Sequence, residues 1–152
     1  MKKLVIIALL IVTSIGFSQS QSKRVTEFNL EKKVALQGYD PIGYFKQNKA
    51  VKGKKEIATT YDGVVYYFSS IENKNIFIKT PTKYEPQFGG WCAYAMGETG
   101  EKVEINPETF KIIEGKLYLF YNAYFNNTLK SWNKNETILK SKAEANWKKV
   151  IK

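Results

Sequence analysis

The chain has 152 residues, a formal net charge of +10, one cysteine and no histidine. The lack of histidine excludes the commonest general base, the commonest metal ligand and any catalytic triad that needs imidazole. A single cysteine excludes a disulfide bond within the chain. The basic residues are almost all lysines spread along the sequence, which is typical of a well-solvated surface.

Residues 1–18 have the pattern of a signal peptide. Lys2 and Lys3 precede an apolar run from Leu4 to Val12, and the small residues Gly16 and Ser18 follow it. The run is shorter than the roughly 20 apolar residues of a membrane span. We expect cleavage after Ser18 and a periplasmic or secreted protein. We expect no transmembrane segment after signal removal and no nucleic-acid partner.

Turn and cap residues in the first half of the mature chain predict where its helices and strands begin and end. Asp40-Pro41 is typical of a helix start, with the aspartate as cap and the proline at the first helical position. Glu56–Tyr61 and Val64–Phe68 are β-rich runs separated by Asp62-Gly63. Asp-Gly between two such runs predicts a tight β-hairpin.

A helix is predicted directly after this hairpin. Ser69-Ser70-Ile71-Glu72 has the pattern of a capping box, and we expect Ser69 to cap a helix that runs to about Lys79. Ile71, Phe77 and Ile78 are expected to form its inward face. Pro81 ends it, since proline cannot continue a helix.

The second half predicts another hairpin. Lys102–Ile105 indicates a weak strand. Asn106-Pro107-Glu108 indicates the cap and first turn of a very short helix. Phe110–Ile113 and Lys116–Tyr121 are apolar runs separated by Glu114-Gly115. The pair predicts a second hairpin about that dipeptide.

The C-terminal region has a helical period. The apolar positions of two successive helices are Phe125, Leu129 and Trp132, then Leu139, Ala143, Trp147 and Val150. We expect an α+β fold, with a small antiparallel sheet from two hairpins, packed helices and a helical C-terminal tail. Residues 19–33 are expected to be a flexible segment and residues 34–152 a single domain.

The stretch from Pro81 to Met96 contains every sulfur atom of the mature chain. If its end is a helix, Cys92 lies in the first turn and Met96 follows four residues later on the same face. Thiolate and thioether ligands favour Cu(I), so Cys92 and Met96 are candidate metal ligands. Gly89 and Gly90 are expected to leave room for a ligand to approach.

Other interpretations of Cys92 remain open. Free cysteine is among the most buried residue types, so the side chain is equally well explained as a small core residue. A reactive thiol in an oxidising compartment is the other alternative, and it needs a thiol partner protein because the chain has no second cysteine.

Aromatic residues suggest a second candidate site. Tyr39, Tyr44, Tyr84 and Trp91 are candidates to line a binding pocket, with Asp40 beside them. Each tyrosine is otherwise explained as an amphipathic packing residue, and Asp40 as a helix cap rather than a catalytic group. The sequence has no phosphate-binding loop, nucleophile elbow or zinc-ligand spacing.

Several motifs in one order resemble the YHS domain family, in particular its exported bacterial branch. The matching segments are Gly38–Phe45, Tyr61-Asp62-Gly63, Tyr67–Ser70, Phe77, Pro81, Lys83-Tyr84, Pro86–Ala93, Gly115–Leu119, Trp132 and Asn146-Trp147. The resemblance implies a small α+β domain with a family core at about residues 34–84. Cytoplasmic relatives are thought to bind heavy metals through cysteines, which would fall at Gly43, Ser69 and Asn73 here.

The expected function is therefore that of an exported YHS-domain protein, a binding or accessory protein rather than an enzyme. Its expected ligand is a metal ion, copper first, or an unknown small ligand. The alternatives are a thiol-based redox or stress protein centred on Cys92, and a structural interaction module with no small ligand.

Overall fold

The computed structural model describes residues 23–152, so the predicted signal peptide lies outside the described residues. The predicted α+β class is confirmed. The strands are β1 Leu30–Glu31, β2 Val34–Ala35, β3 Lys54–Tyr61, β4 Val64–Phe68, β5 Asn106–Ile113, β6 Lys116–Phe120, β7 Asn122–Ala123 and β8 Asn126–Asn127. The helices are α1 Pro41–Lys46, α2 Ile71–Lys79, α3 Pro81–Tyr84, α4 Ala93–Glu98, α5 Thr128–Trp132 and α6 Glu136–Val150. Within residues 23–152, no helix is both long enough and apolar enough to cross a bilayer.

The predicted hairpin about Asp62-Gly63 is confirmed. Tyr61 pairs with Val64, and Asp62 and Gly63 both have positive φ, at 44° and 83°. Positive φ at both central positions is the pattern of a type I′ turn. The β3–β4 hairpin is half of a four-stranded sheet with the order β1-β2-β4-β3, in which β2 runs parallel to β4.

The hairpin about Glu114-Gly115 is also confirmed, but it lies in a separate two-stranded sheet. The outer edge of β6 does not join the first sheet. It forms isolated parallel bridges through Leu117 to Pro86 and through Leu119 to Cys92. The segment that contains the cysteine therefore covers this edge, and the two predicted hairpins do not form one sheet.

Three local predictions in the second half were wrong. Asn106-Pro107-Glu108 begins strand β5 instead of a helix, and residues 102–105 are not a strand. Asn106 pairs with Phe120, and Pro107 lies in the irregular stretch between Asn106 and Phe110, where the register shifts and proline is tolerated. Phe125 lies in the turn before α5, not in a helix.

Helix α2 forms as predicted but with a different cap and a different buried face. The cap is Ser70, whose hydroxyl accepts from the Asn73 N–H at 3.1 Å. Ile71 and Ile78 are 67% and 50% exposed, while Phe77 is fully buried. Asn73 and Phe77 lie four residues apart on the buried face, so a polar side chain takes one of the expected apolar positions.

The core has two parts. The first cluster packs Tyr44, Tyr66, Phe68 and Phe77 between the four-stranded sheet and its helices. The second cluster surrounds Trp132 and extends to α4 and α6, whose predicted inward residues Leu139 and Ala143 are buried. Residues 23–27, expected to be flexible, are helical, and Arg24 forms an ion pair with the buried Glu85.

Candidate functional site

Cys92 lies at the start of helix α4, as the N-cap residue immediately before Ala93. Its side chain does not cap the helix and is 0% exposed. It belongs to the first core cluster, next to Leu117 and Leu119 of β6. The thiol is therefore inside the protein rather than at its surface.

A closed ring of hydrogen bonds surrounds the Cys92 sulfur. The Tyr121 N–H donates to Sγ at 3.3 Å, and the Thr128 hydroxyl donates to the Tyr121 carbonyl at 2.9 Å. Because the single hydroxyl hydrogen of Thr128 is already used, the contact of 3.4 Å between Sγ and Thr128 Oγ1 has the thiol as donor.

The ring also joins the two ends of the β7–β8 hairpin. The Thr128 N–H donates to the Tyr121 carbonyl at 3.0 Å, one residue outside each strand. Cys92 bonds to both residues. Its position is therefore that of a structural clamp at the base of this hairpin.

Met96 follows Cys92 by one helical turn, and its N–H donates to the Cys92 carbonyl at 3.0 Å. Its side chain, however, is buried in the second core cluster, whereas that of Cys92 is in the first. Among residues 23–152, no group of three or more histidine, cysteine or acidic side chains is placed to hold a metal. The arrangement does not fit a copper site, because the two sulfur side chains lie in different core clusters and no third donor is in place among the described residues.

The two glycines before Cys92 do not open a space for a ligand. A Cβ atom on Gly89 would lie 2.7 Å from the Phe28 ring and 2.9 Å from Trp147. On Gly90 it would meet Pro86 at 3.5 Å. The expectation of open space is wrong at Gly89, where the missing side chain allows Phe28 and Trp147 to pack against the backbone.

The four aromatic residues predicted to line a pocket are not brought together. Tyr44 is fully buried and its hydroxyl donates to the Pro107 carbonyl at 3.0 Å. Tyr84 packs edge-on against Phe45, with ring centres 5.2 Å apart. Tyr39 reaches the same segment as Tyr44, since its Oη donates to Glu108 at 3.3 Å, whereas Trp91 Nε1 donates to the Glu27 carbonyl at 2.7 Å.

Asp40 caps α1 as predicted and is also the centre of a buried polar network. Its Oδ1 accepts from the Ile42 N–H at 2.9 Å. Its Oδ2 accepts from the Ser69 N–H at 2.8 Å, the Ser69 hydroxyl at 2.6 Å and the Asn73 amide at 2.7 Å. Ser69 and Asn73 are two of the positions where the resemblance puts metal-binding cysteines. Here both side chains donate to one carboxylate.

A cavity that the sequence did not indicate lies beside Gly38. Its volume is about 380 Å³, and its lining consists of Glu31, Lys32, Val34, Gln37, Gly38, Lys55 and Tyr67. The ring of Tyr67 forms one wall, since a Cβ on Gly38 would lie 3.3 Å from it. Only Gly38 and Tyr67 fell within motifs noted in the sequence, so no pattern there predicted this site.

Comparison with known proteins supports the family resemblance. Residues 42–88 match the family model of the YHS domain. The chain thus contains a YHS domain in that segment, and the recognition made from the sequence is confirmed for it. Metal binding has been suggested for this domain family, and a binding role is compatible with the match at that level. No curated protein and no solved structure matched the chain.

Proposed function

We propose that this chain is a binding or accessory protein that holds a small organic anion in the cavity beside Tyr67. The observation that carries the proposal is the cavity itself, whose volume of about 380 Å³ lies in the range of small-ligand sites. Lys32 and Lys55 line it against one acidic residue, Glu31. Neither lysine has an ion-pair partner among residues 23–152, so both charges are free to meet an anion.

The rest of the lining suggests a ligand with a flat apolar part. Val34 and the Tyr67 ring offer apolar surface, and the missing side chain of Gly38 lets that ring pack against the backbone. The Tyr67 hydroxyl makes no hydrogen bond within the described chain, which leaves it free to bind a ligand oxygen. An aromatic or short aliphatic carboxylate or phosphate combines these features.

Backbone strain beside the cavity supports the same proposal. Lys32, Lys33, Leu36 and Gln37 all have positive φ, between 50° and 71°. Such conformations cost free energy in residues other than glycine, and they concentrate at binding sites and turns.

Titration calorimetry with phenyl phosphate tests this function. The wild-type protein should bind it, and Lys55→Ser and Tyr67→Phe should each weaken binding by roughly threefold to tenfold through loss of one charge or one hydrogen bond. Tyr67→Phe should leave the melting temperature unchanged, because that hydroxyl has no partner in the described chain. Lys79→Ser, which removes an exposed lysine at the end of α2, is the matched control. Absence of binding, or an equal loss in the control, would refute the proposal.

Soft-metal binding at Cys92 and Met96 is the second candidate. Two observations favour it: the association of the YHS family with metals and the position of both sulfur residues at one helix start. It requires the hydrogen-bond ring around Cys92 to open and the thiol to lose its proton. Under our proposal, folded reduced protein gives no Cu(I)-dependent rise in melting temperature. A rise that Cys92→Ser abolishes and Met96→Leu weakens would establish copper binding instead.

The same set of experiments also tests a thiol-based redox role for Cys92. Reaction of Cys92 with glutathione disulfide in the folded protein, without any copper response, would favour it.

We also propose that the protein is exported, on the basis of the charged start and apolar run of residues 1–18. Mass spectrometry of native protein should find a chain that begins near Gln19. An intact Met1 would contradict export.

A further inference from the structure

The tip of the β7–β8 hairpin exposes two adjacent aromatic side chains. Ala123 pairs with Asn126, so the loop consists only of Tyr124 and Phe125. Their side chains are 92% and 112% exposed, the highest values among the exposed large hydrophobic residues described. Neither ring takes part in the aromatic contacts of the described core.

These residues are also unfavourable for the turn they form. Tyr124 and Phe125 have φ values of 50° and 64°. A two-residue loop with both φ values positive strongly favours Asn-Gly or Asp-Gly, as at Asp62-Gly63 in the other hairpin. Folding alone would favour small residues here. Two bulky aromatic residues in a strained, solvent-exposed turn therefore indicate a role outside the fold.

The base of the hairpin is held firmly. The ring of hydrogen bonds around the Cys92 sulfur joins Tyr121 to Thr128. The Asn122 side-chain amide donates to Thr109 of β5 at 3.0 Å. The Asn127 side chain caps α5 by accepting from the Leu129 N–H at 3.1 Å. The tip is thus presented on a rigid support.

Two exposed lysines follow the tip in the sequence. Lys130 and Lys134 lie five and nine positions after Phe125, and neither has an ion-pair partner among the described residues. Chain length alone places their Cα atoms within about 18 Å and about 32 Å of that of Phe125. The whole chain has a net charge of +10, which favours an anionic partner.

We propose that Tyr124 and Phe125 insert into the interfacial region of an anionic lipid bilayer, while Lys130 and Lys134 contact its headgroups. Aromatic residues favour this region, and lysines nearby are attracted to anionic lipids. The convex two-residue tip offers at most about 500 Å² of aromatic surface. That is less than the roughly 800 Å² per partner of a standard protein–protein interface.

Vesicle co-sedimentation tests the proposal, with a chain that begins at Gln19 so that the apolar leader cannot itself enter the bilayer. The wild-type chain should bind vesicles of mixed phosphatidylglycerol and phosphatidylcholine, and binding should weaken with added salt. The double variant Tyr124→Asn/Phe125→Gly should bind about tenfold less or weaker still. Its melting temperature should be equal to or above that of the wild type, since Asn-Gly suits the turn.

Two further variants complete the test. Lys130→Ser should weaken binding to anionic vesicles, and Ile71→Ser, which removes an exposed apolar residue on α2, should not change it. The proposal is overturned if the wild-type chain leaves the vesicles unbound. It is also overturned if the double variant binds as well as the wild type, or if Ile71→Ser loses as much binding as the double variant.

Discussion

The Cys92 sulfur forms hydrogen bonds with two residues, Tyr121 and Thr128, within the folded protein. Its sulfur accepts from the Tyr121 N–H and its thiol donates to Thr128. The spacing of Cys92 and Met96 predicted that both lie on one face of a helix, but Cys92 is the N-cap residue just outside α4. It did not predict that their side chains enter different core clusters, because that depends on which distant segments pack against the helix.

Cys92→Ala should lower the free energy of unfolding by about 1–3 kcal/mol, because it leaves the partly buried Tyr121 N–H without an acceptor. Urea denaturation of the two proteins gives this difference. Met96→Leu is the control, since it keeps the volume and should cost less than about 1.5 kcal/mol. Equal stability of Cys92→Ala and wild type would mean that the ring does not contribute to folding.

Asp40→Asn should also destabilise the protein, by about 1–3 kcal/mol or more. In either orientation the new amide nitrogen would face a donor, either the Ile42 N–H at the Oδ1 position or the Ser69 N–H and the Asn73 amide at the Oδ2 position. Asp62→Asn is the matched control, because asparagine also tolerates the positive φ of the β3–β4 turn. Thermal unfolding gives the melting temperatures of both variants. An Asp40→Asn protein as stable as the wild type would show that the carboxylate is not required as an acceptor.

At the level of elements, the two hairpins show what short sequence patterns determine. Asp62-Gly63 and Glu114-Gly115 were identified correctly because a tight turn depends on its own residues. The sheet to which each hairpin belongs was not, since that is decided by distant pairings such as Val34 with Val65. Asn106–Glu108 was misassigned for the same reason, as its pairing partner Phe120 lies far along the chain.

Gly63→Val should destabilise the domain by roughly 1 kcal/mol or more, because a β-branched residue resists the φ of 83° found here. Differential scanning calorimetry would measure the lowered melting temperature. Val65→Thr is a suitable control for β-branched chemistry in the adjacent strand, where φ is ordinary. An unchanged melting temperature for Gly63→Val would show that the turn accommodates a side chain.

At the level of the whole molecule, one buried polar group joins segments far apart in sequence. Glu85 accepts from the Tyr66 hydroxyl in β4 and forms the ion pair with Arg24. Arg24 also stacks on the rings of Phe28 and Tyr61, at 4.6 and 5.3 Å from their centres. No motif in residues 19–33 predicted this, because the segment is polar and the contacts of Arg24 are with partners far along the chain.

Stability should fall at alkaline pH. Burial, followed by the negative charge of Glu85, raises the pKa of Tyr66 well above its usual value, and burial also raises that of Tyr44. The folded state then keeps both protons while the unfolded chain loses them above about pH 10. Below that pH these groups contribute no pH dependence. Melting temperatures and phenolate absorbance should change together above it, and ionisation of every tyrosine without unfolding would contradict this account.

The cavity beside Tyr67 was the least predictable part of the molecule. Its lining comes from the β1–β2 turn, the strained residues around Gln37, and strands β3 and β4. Lys32 and Lys55 are unremarkable in a lysine-rich sequence. Only the pairing of β1 and β2 with β4 assembles them around one tyrosine.

Mapping of backbone amide shifts in an NMR titration with phenyl phosphate tests the central claim most directly, because it locates the ligand. We predict saturable shifts at Val34, Gln37, Gly38, Lys55 and Tyr67, with the amides of Cys92, Tyr121 and Thr128 unmoved. Shifts centred on Cys92 and Tyr121, or none at the cavity, would contradict the account.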